Sequence, residues 1–212
     1  RFFVNQCKMI PPTIIDLMAP CIINVPPSPL PPQCGPSPIE SAISNGDRQT
    51  GVSIIQLAAA MDAGPVYVQE SFPLKGKETR SALYDLLADS GATLLINTLP
   101  SILDESLQPH EQDEKLASYC QLLQKSDAFL DTAHLTAPEA ERQVRAHLNF
   151  PTTKTTVLGY DIIITKSHIE GHKKTSLDIL CQDGAYLSID ELIAPSGRAM
   201  HADAFLNGYA GA

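Results

Sequence analysis

Asn24-Val25-Pro26-Pro27-Ser28-Pro29-Leu30-Pro31 follows directly on the apolar run Cys21-Ile22-Ile23, and its reading decides the first half of the chain. Ten of the seventeen prolines fall between positions 11 and 38. Proline fixes φ and removes a backbone donor, so residues 26–38 are expected as an ordered loop or extended segment and not as a helix. A proline-rich linker would have the same composition. The position directly after a buried-looking strand fits better with a ligand loop at the carboxyl end of a parallel strand.

Outward from this loop, residues 37–44 suit a short helix ended near Asn45-Gly46. Residues 51–57 and 66–74 read as strands on either side of the turn Asp62-Ala63-Gly64. From residue 78 to 107 the apolar positions Leu83, Leu86, Leu87, Leu94, Leu95, Leu99 and Leu103 recur at helical spacing, with interruptions expected near Gly91 and Pro100. Strand, loop, hairpin and long helix together predict part of an α/β domain.

Residues 109–126 are polar and charged and suit a linker. Thr136-Ala137-Pro138-Glu139 is a capping box with proline in the first turn, opening a helix through about Asn149. Beyond it, residues 155–169, 177–181 and 185–189 are β-branched or alternating, with Asp183-Gly184 as a hairpin signal. Short strands after one helix point to a small barrel. The expected division is a partial α/β domain over 1–108, a linker over 109–126 and a barrel domain over 127–212.

The hydrophobic content is 43% and the formal net charge −9. Residues 1–110 carry six basic and ten acidic groups, residues 111–212 nine and fourteen. Bulk charge therefore does not suggest nucleic-acid binding, which draws most of its affinity from phosphate contacts. Lys154, Lys166, Lys173 and Lys174 with His168 and His172 form a local exception, readable at least as well as a solvated strand face as a nucleic-acid contact. Five widely spaced cysteines without a Cys-x-x-Cys pair suggest structural thiols, neither disulfides nor zinc ligands. Cys34, inside the proline-rich loop, has the alternative of a reactive thiol. With no secretory signal and no uninterrupted apolar stretch of about 18 residues, a cytoplasmic monomer without a membrane partner is expected.

Asn24, the Ser28-Pro29-Leu30-Pro31 stretch, Gly51-Val52-Ser53-Ile54-Ile55 and Asp62-Ala63-Gly64 resemble the core of the folate-dependent formyltransferases, and within them the methionyl-tRNA formyltransferases. Gln112-Asp113-Glu114 with Ala117-Ser118-Tyr119 resembles that family's linker. Leu192 to Met200, leading to Ala204-Phe205-Leu206-Asn207-Gly208-Tyr209, resembles its C-terminal end. The resemblance implies a partial doubly wound, Rossmann-like formyltransferase domain followed by an OB-like β-barrel. It also implies that roughly eighty family residues forming the opening half of the sheet precede this point. Without them, apolar surface around residues 14–25 and 52–57 is expected to be exposed.

The activity implied is transfer of a formyl group from 10-formyltetrahydrofolate, without a metal, to the amino group of initiator methionyl-tRNA. By resemblance Asn24 supplies the amide that steadies the oxyanion and Asp62 the orienting carboxylate. The two are expected to converge on one point. Ser28, Pro29, Leu30 and Pro31 would hold the folate. Pro26 stands where the family has a histidine, and loss of a general base typically costs about 10²–10⁴ in rate, so weak or absent catalysis is expected. Alternatives are a formyltransferase acting on a sugar nucleotide or small amine, or a remnant that binds folate or a partner without turnover.

Overall fold

The computed structural model describes residue 13 and residues 22–209. The chain divides into two compact units. The first holds the described residues up to Ala42, Asp47–Lys77 and Ser81–Leu122; the second holds Ile43–Gly46, Glu78–Arg80 and the chain from Leu123 onward. Residues 109–122 therefore pack with the first unit, tied to it by the backbone pairs Val66–His110 and Cys34–Tyr119.

In the first unit β1 (Ile23–Asn24) pairs with β2 (Gln49–Gln56), and β2 with β3 (Val66–Pro73). Both pairings are antiparallel, so the parallel neighbour expected for the strand before the proline-rich loop is not among the described residues. The central strand β2 is buried on both faces, with Val52, Ser53, Ile54 and Ile55 all at most 1% exposed. Its near-continuous apolar run is the pattern of a strand covered on both sides. The loop ends in α1 (Pro38–Asn45), which begins on a proline whose missing N–H costs nothing there.

Helix α2 spans Arg80–Leu103 without the expected breaks. Gly91 is part of its buried stripe with Leu83 and Leu87, at four-residue spacing. A Cβ on Gly91 would lie 3.1 Å from Val25 Cγ1 and 3.8 Å from Val52 Cγ1, so the glycine permits close approach of helix to sheet. Pro100 falls in the last turn, where one lost backbone bond does little harm.

The exposed apolar surface is not where the sequence placed it. Ile22, Val52, Ile54 and Ile55 are at most 3% exposed, and α2 approaches Val52 at Gly91; residues 14–21 lie outside the described residues. Exposure falls instead on α2, at Leu86, Ile96 and Leu103. Among the described residues α2 is also the one helix long and apolar enough to cross a membrane, though its apolar residues are interrupted by polar ones.

In the second unit Thr136 caps α3 (Ala137–Ala146) with the anticipated reciprocal bonds: Thr136 Oγ1 accepts from the Glu139 N–H, and Glu139 Oε2 accepts from the Thr136 N–H. The helix stops at Ala146, short of Asn149, whose positive φ of 73° turns the chain. Strands β4 (Thr153–Val157), β5 (Tyr160–Glu170), β6 (Ile179–Leu180), β7 (Tyr186–Ile193) and β8 (Ala199–His201) form one antiparallel sheet of order β4-β5-β7-β6, with β8 also on β7. The single segment expected at 155–169 is a hairpin, turned by Leu158 and Gly159 at positive φ.

Irregularities in the β5–β7 register on either side of Lys166 help the sheet curl, as bulges do in small barrels. Inside it lie Ile164, Leu177, Leu187 and Leu192, against Ala140 and Val144 of α3. A last helix, α4 (Ala202–Tyr209), adds Phe205, fully buried and stacked on Tyr209 with ring centres 4.5 Å apart. The two units together make a mixed α/β chain with an α/β part followed by an OB-like curled sheet.

Candidate active site

The proline-rich loop is fastened to the sheet through its own carbonyls. Ser53 N–H donates to Pro26 O at 3.1 Å, and Ser53 Oγ donates to Ser28 O at 2.7 Å. Gln69 Nε2 donates to Leu30 O and, at 3.0 Å, to Ser53 Oγ. Two side chains on neighbouring strands thus replace the ladder partners that a proline-rich segment cannot supply. A Cβ on Gly51 would lie 3.1 Å from Pro29 Cβ and 2.4 Å from Glu70 O, so the glycine gives the loop room to cross β2. Ser28 and Leu30 are buried, Pro29 and Pro31 half-buried. The Ser28 hydroxyl is buried without a hydrogen-bond partner among the described residues.

Asn24, half-buried, stands opposite Ile55 in the β1–β2 register. No side-chain hydrogen bond joins it to the described residues. Asp62 lies just beyond that same end of β2, on the turn that leads into β3. This turn closes on β2: Gln56 N–H donates to Pro65 O at 2.9 Å, and a Cβ on Gly64 would fall 1.7 Å from Gln56 O. Asn24 and the turn carrying Asp62 therefore flank the same end of β2. Pro26 is buried and, through its carbonyl, part of the fastening to Ser53.

The Asp62 carboxylate accepts from the backbone N–H of Gly35 at 2.9 Å. It is thus joined to the far end of the same loop that begins after Asn24. Burial pushes the pKa of Asp62 above the usual carboxylate value, and the Gly35 N–H partly offsets this. Burial, with the nearby Asp62 charge, pushes the Cys34 thiol up as well; it is 2% exposed and donates to Pro31 O. That is the setting of a structural thiol, and the reactive alternative loses its support.

Three further partners were not legible as such. Gly35 holds the carboxylate across 27 positions, Gln112 holds the Asp62 turn across 50, and Gln69 holds the loop across 39. None carries a local sequence signal, because each acts only once the chain has folded. The lysine-bearing segment of the second unit differs from its sequence count for the same reason. Strand β7 supplies carboxylates from about two dozen residues away: Glu191 pairs with Lys166 at 3.5 Å, and Asp190 with His168 at 2.8 Å. Glu170 pairs with Lys174.

A formyl transferase family model matches residues 3–99, and the C-terminal domain model of the same family matches residues 122–210. The methionyl-tRNA formyltransferase of Methylobacillus flagellatus is 32% identical over 209 residues, covering 94% of this chain and 68% of its own length. That of Methylococcus capsulatus is 34% identical, covering 89% of this chain and 64% of its own. The chain thus spans about two thirds of the length of these relatives.

Among solved structures, HypX from Aquifex aeolicus in complex with tetrahydrofolic acid is similar with a TM-score of 0.73 at 18% identity, covering 98% of this chain and 38% of that one. An N-formyltransferase from Helicobacter canadensis, in complex with folinic acid and dTDP-3-aminofucose, gives 0.72 at 17% identity, covering 89% and 72%. At such identities the likeness establishes the fold alone. Matches to both family models, together with identities above 30% to these relatives, establish that the chain belongs to the formyltransferase family, with its similarity to methionyl-tRNA formyltransferases running through both units.

Proposed function

We propose that the chain is built for formyl transfer from 10-formyltetrahydrofolate to the amino group of methionyl-tRNA, with catalysis limited by Pro26. The observation that carries the reading is the bond from Gly35 N–H to Asp62, which ties a buried carboxylate to the loop that opens at Asn24. The folate supplies the formyl carbon. Asn24, without a side-chain bond to the described residues, donates its amide to the oxygen as negative charge develops there, an effect worth about 3 kcal/mol at comparable sites. Asp62 orients the group that accepts the amine proton. Ser28, Pro29, Leu30 and Pro31 present the folate-binding surface; their carbonyls at Ser28 and Leu30 already serve the sheet, which leaves the Ser28 hydroxyl as the loop's unengaged polar group.

Pro26 has neither an ionisable side chain nor an N–H. The experiment is single-turnover formylation of methionyl-tRNA by the Pro26→His chain beside its parent. A gain of about 10²-fold is expected, and Asp62→Asn in the same background should abolish it, since an unoriented imidazole transfers protons poorly. Equal rates in Pro26→His and parent, with folinic acid bound by both, would overturn the assignment of the defect to position 26. Failure of both to bind folinic acid would overturn the functional reading itself.

A further inference from the structure

The turn that carries Asp62 is closed from outside. Gln112 Nε2 donates to Asp62 O and to Gly64 O, each at 2.7 Å, so both donors of one carboxamide serve the two carbonyls that flank Ala63. Asp62 itself sits at a φ of 54°, in the left-handed region that non-glycine residues seldom occupy. Aspartate tolerates this region better than most residues, and the partners on either side of Ala63 fix it there.

We infer that Gln112 is a positioning residue for the Asp62 carboxylate, an inference that depends on the formyl-transfer reading for its purpose but not for its geometry. Gln112 is anchored just before by the His110–Val66 backbone pair, at 2.8 and 2.9 Å, and followed by a 3-10 turn, Glu114–Leu116, capped by Asp113. The same strand-like strap then reaches the loop. Cys34 N–H donates to Ser118 O at 2.8 Å, Cys120 N–H donates to Cys34 O at 2.8 Å, and Gln33 N–H donates to Ser118 Oγ at 2.9 Å. These residues flank Gly35, the donor to Asp62. A Cβ on Gly35 would lie 2.6 Å from Cys120 O, so the strap's approach requires glycine there. One segment, residues 110–120, thus holds both the turn that carries the carboxylate and the N–H that the carboxylate accepts. All of these residues belong to the first unit.

The test uses the whole chain labelled with nitrogen-15 and follows the Gly35 amide while pH passes through the carboxylate range. Cys34 and Cys120 have thiols pushed up by burial and remain protonated throughout. Asp47, which accepts from Gln33 Nε2 and is itself raised by burial, is removed as a source of the signal by comparing parent and variants in an Asp47→Asn background, while Glu111, Asp113 and Glu114 of the segment are common to all of them. Gln112→Met keeps the side chain's length, removes both donors and does not titrate; Gln112→Lys restores donors at similar reach. Gln112→Met is expected to reduce the amplitude of the Gly35 titration by about twofold or more, and Gln112→Lys to recover most of it. Exchange protection of the His110 and Val66 amides should be the same in all three proteins. An unchanged Gly35 titration in Gln112→Met overturns the inference. So does loss of the His110–Val66 protection along with it, because the residue would then be holding the fold and not the carboxylate. Folinic acid binding by the parent is measured on the same samples. If the parent does not bind it and the Gly35 titration still falls in Gln112→Met, the positioning role stands and the formyl-transfer reading goes.

Discussion

Asp62 is held in a state that costs stability. Burial raises its pKa in the folded chain above the ordinary carboxylate value, while the Gly35 N–H works in the opposite direction without cancelling the shift. The folded state therefore binds this proton more tightly than the unfolded state does. The contribution to stability is greatest below the unfolded carboxylate range, declines as pH rises toward the folded pKa, and stays low above it. Asp62→Asn keeps an acceptor for Gly35 and removes the charge. It is expected to be more stable than the parent in urea at neutral pH and equal to it in strong acid, while losing any formyl transfer. A neutral-pH loss of stability would show that the charged bond to Gly35 outweighs burial. Asn24 at a strand end and Asp62 on a turn before glycine stand in the elements the sequence suggested, while the roles proposed for them rest on the family resemblance and not on their own surroundings. Gly35 and Gln112 were not legible, since a partner 27 or 50 positions away leaves no periodic trace.

Elements were legible where a local signal agreed with the tertiary outcome. The capping box at Thr136, the strands around Asp62 and the hairpin at Asp183-Gly184 are of this kind, and Gly184 takes the positive φ the hairpin needs. The break expected in α2 was wrong because Gly91 serves close packing and Pro100 falls where a helix already frays. The β4–β5 hairpin was read as one strand because Leu158, at a φ of 52°, gives no turn signal by its type, which left Gly159 as a lone glycine in a β-branched run. Helix α2 also carries an element-scale prediction. Ile96 is 71% and Leu103 70% exposed, large apolar side chains of the kind that drive self-association. Ile96→Glu with Leu103→Lys, whose lysine in the last turn suits the helix dipole, is expected to lower the weight-average mass in sedimentation at high concentration. It should change unfolding free energy by no more than about 1 kcal/mol. A loss of several kcal/mol would mean that this face is covered in the folded chain.

At the scale of the whole molecule, a net charge of −9 conceals carboxylates that respond to acid in opposite directions. In the second unit Asp178 is 6% exposed, and burial alone would raise its pKa. The Thr175 N–H, the Ser188 hydroxyl, the Lys174 N–H and the Thr175 hydroxyl together hold it below the ordinary value. Glu139 is lowered by the Thr136 hydroxyl and N–H of its capping box, and Glu170 chiefly by Lys174. Among the described residues of the first unit burial raises both Asp62 and Asp47, and only the exposed Asp104, bonded to Ser106, is lowered. A lowered carboxylate contributes stability above its unfolded pKa and loses it as pH falls toward the folded one; a raised carboxylate does the reverse. The two units are therefore expected to part company in acid. As pH falls from about 6 to about 3, amides of the β5–β7 ladder should lose exchange protection before those of the β2–β3 ladder. Asp178→Asn keeps the shape but cannot take the charge that its four donors favour. It should weaken the β5–β7 ladder at neutral pH by about 2 kcal/mol and flatten that ladder's dependence on acid. Loss of the β2–β3 ladder at the higher pH would show instead that surface charge, and not these few buried or bonded groups, decides which unit fails first.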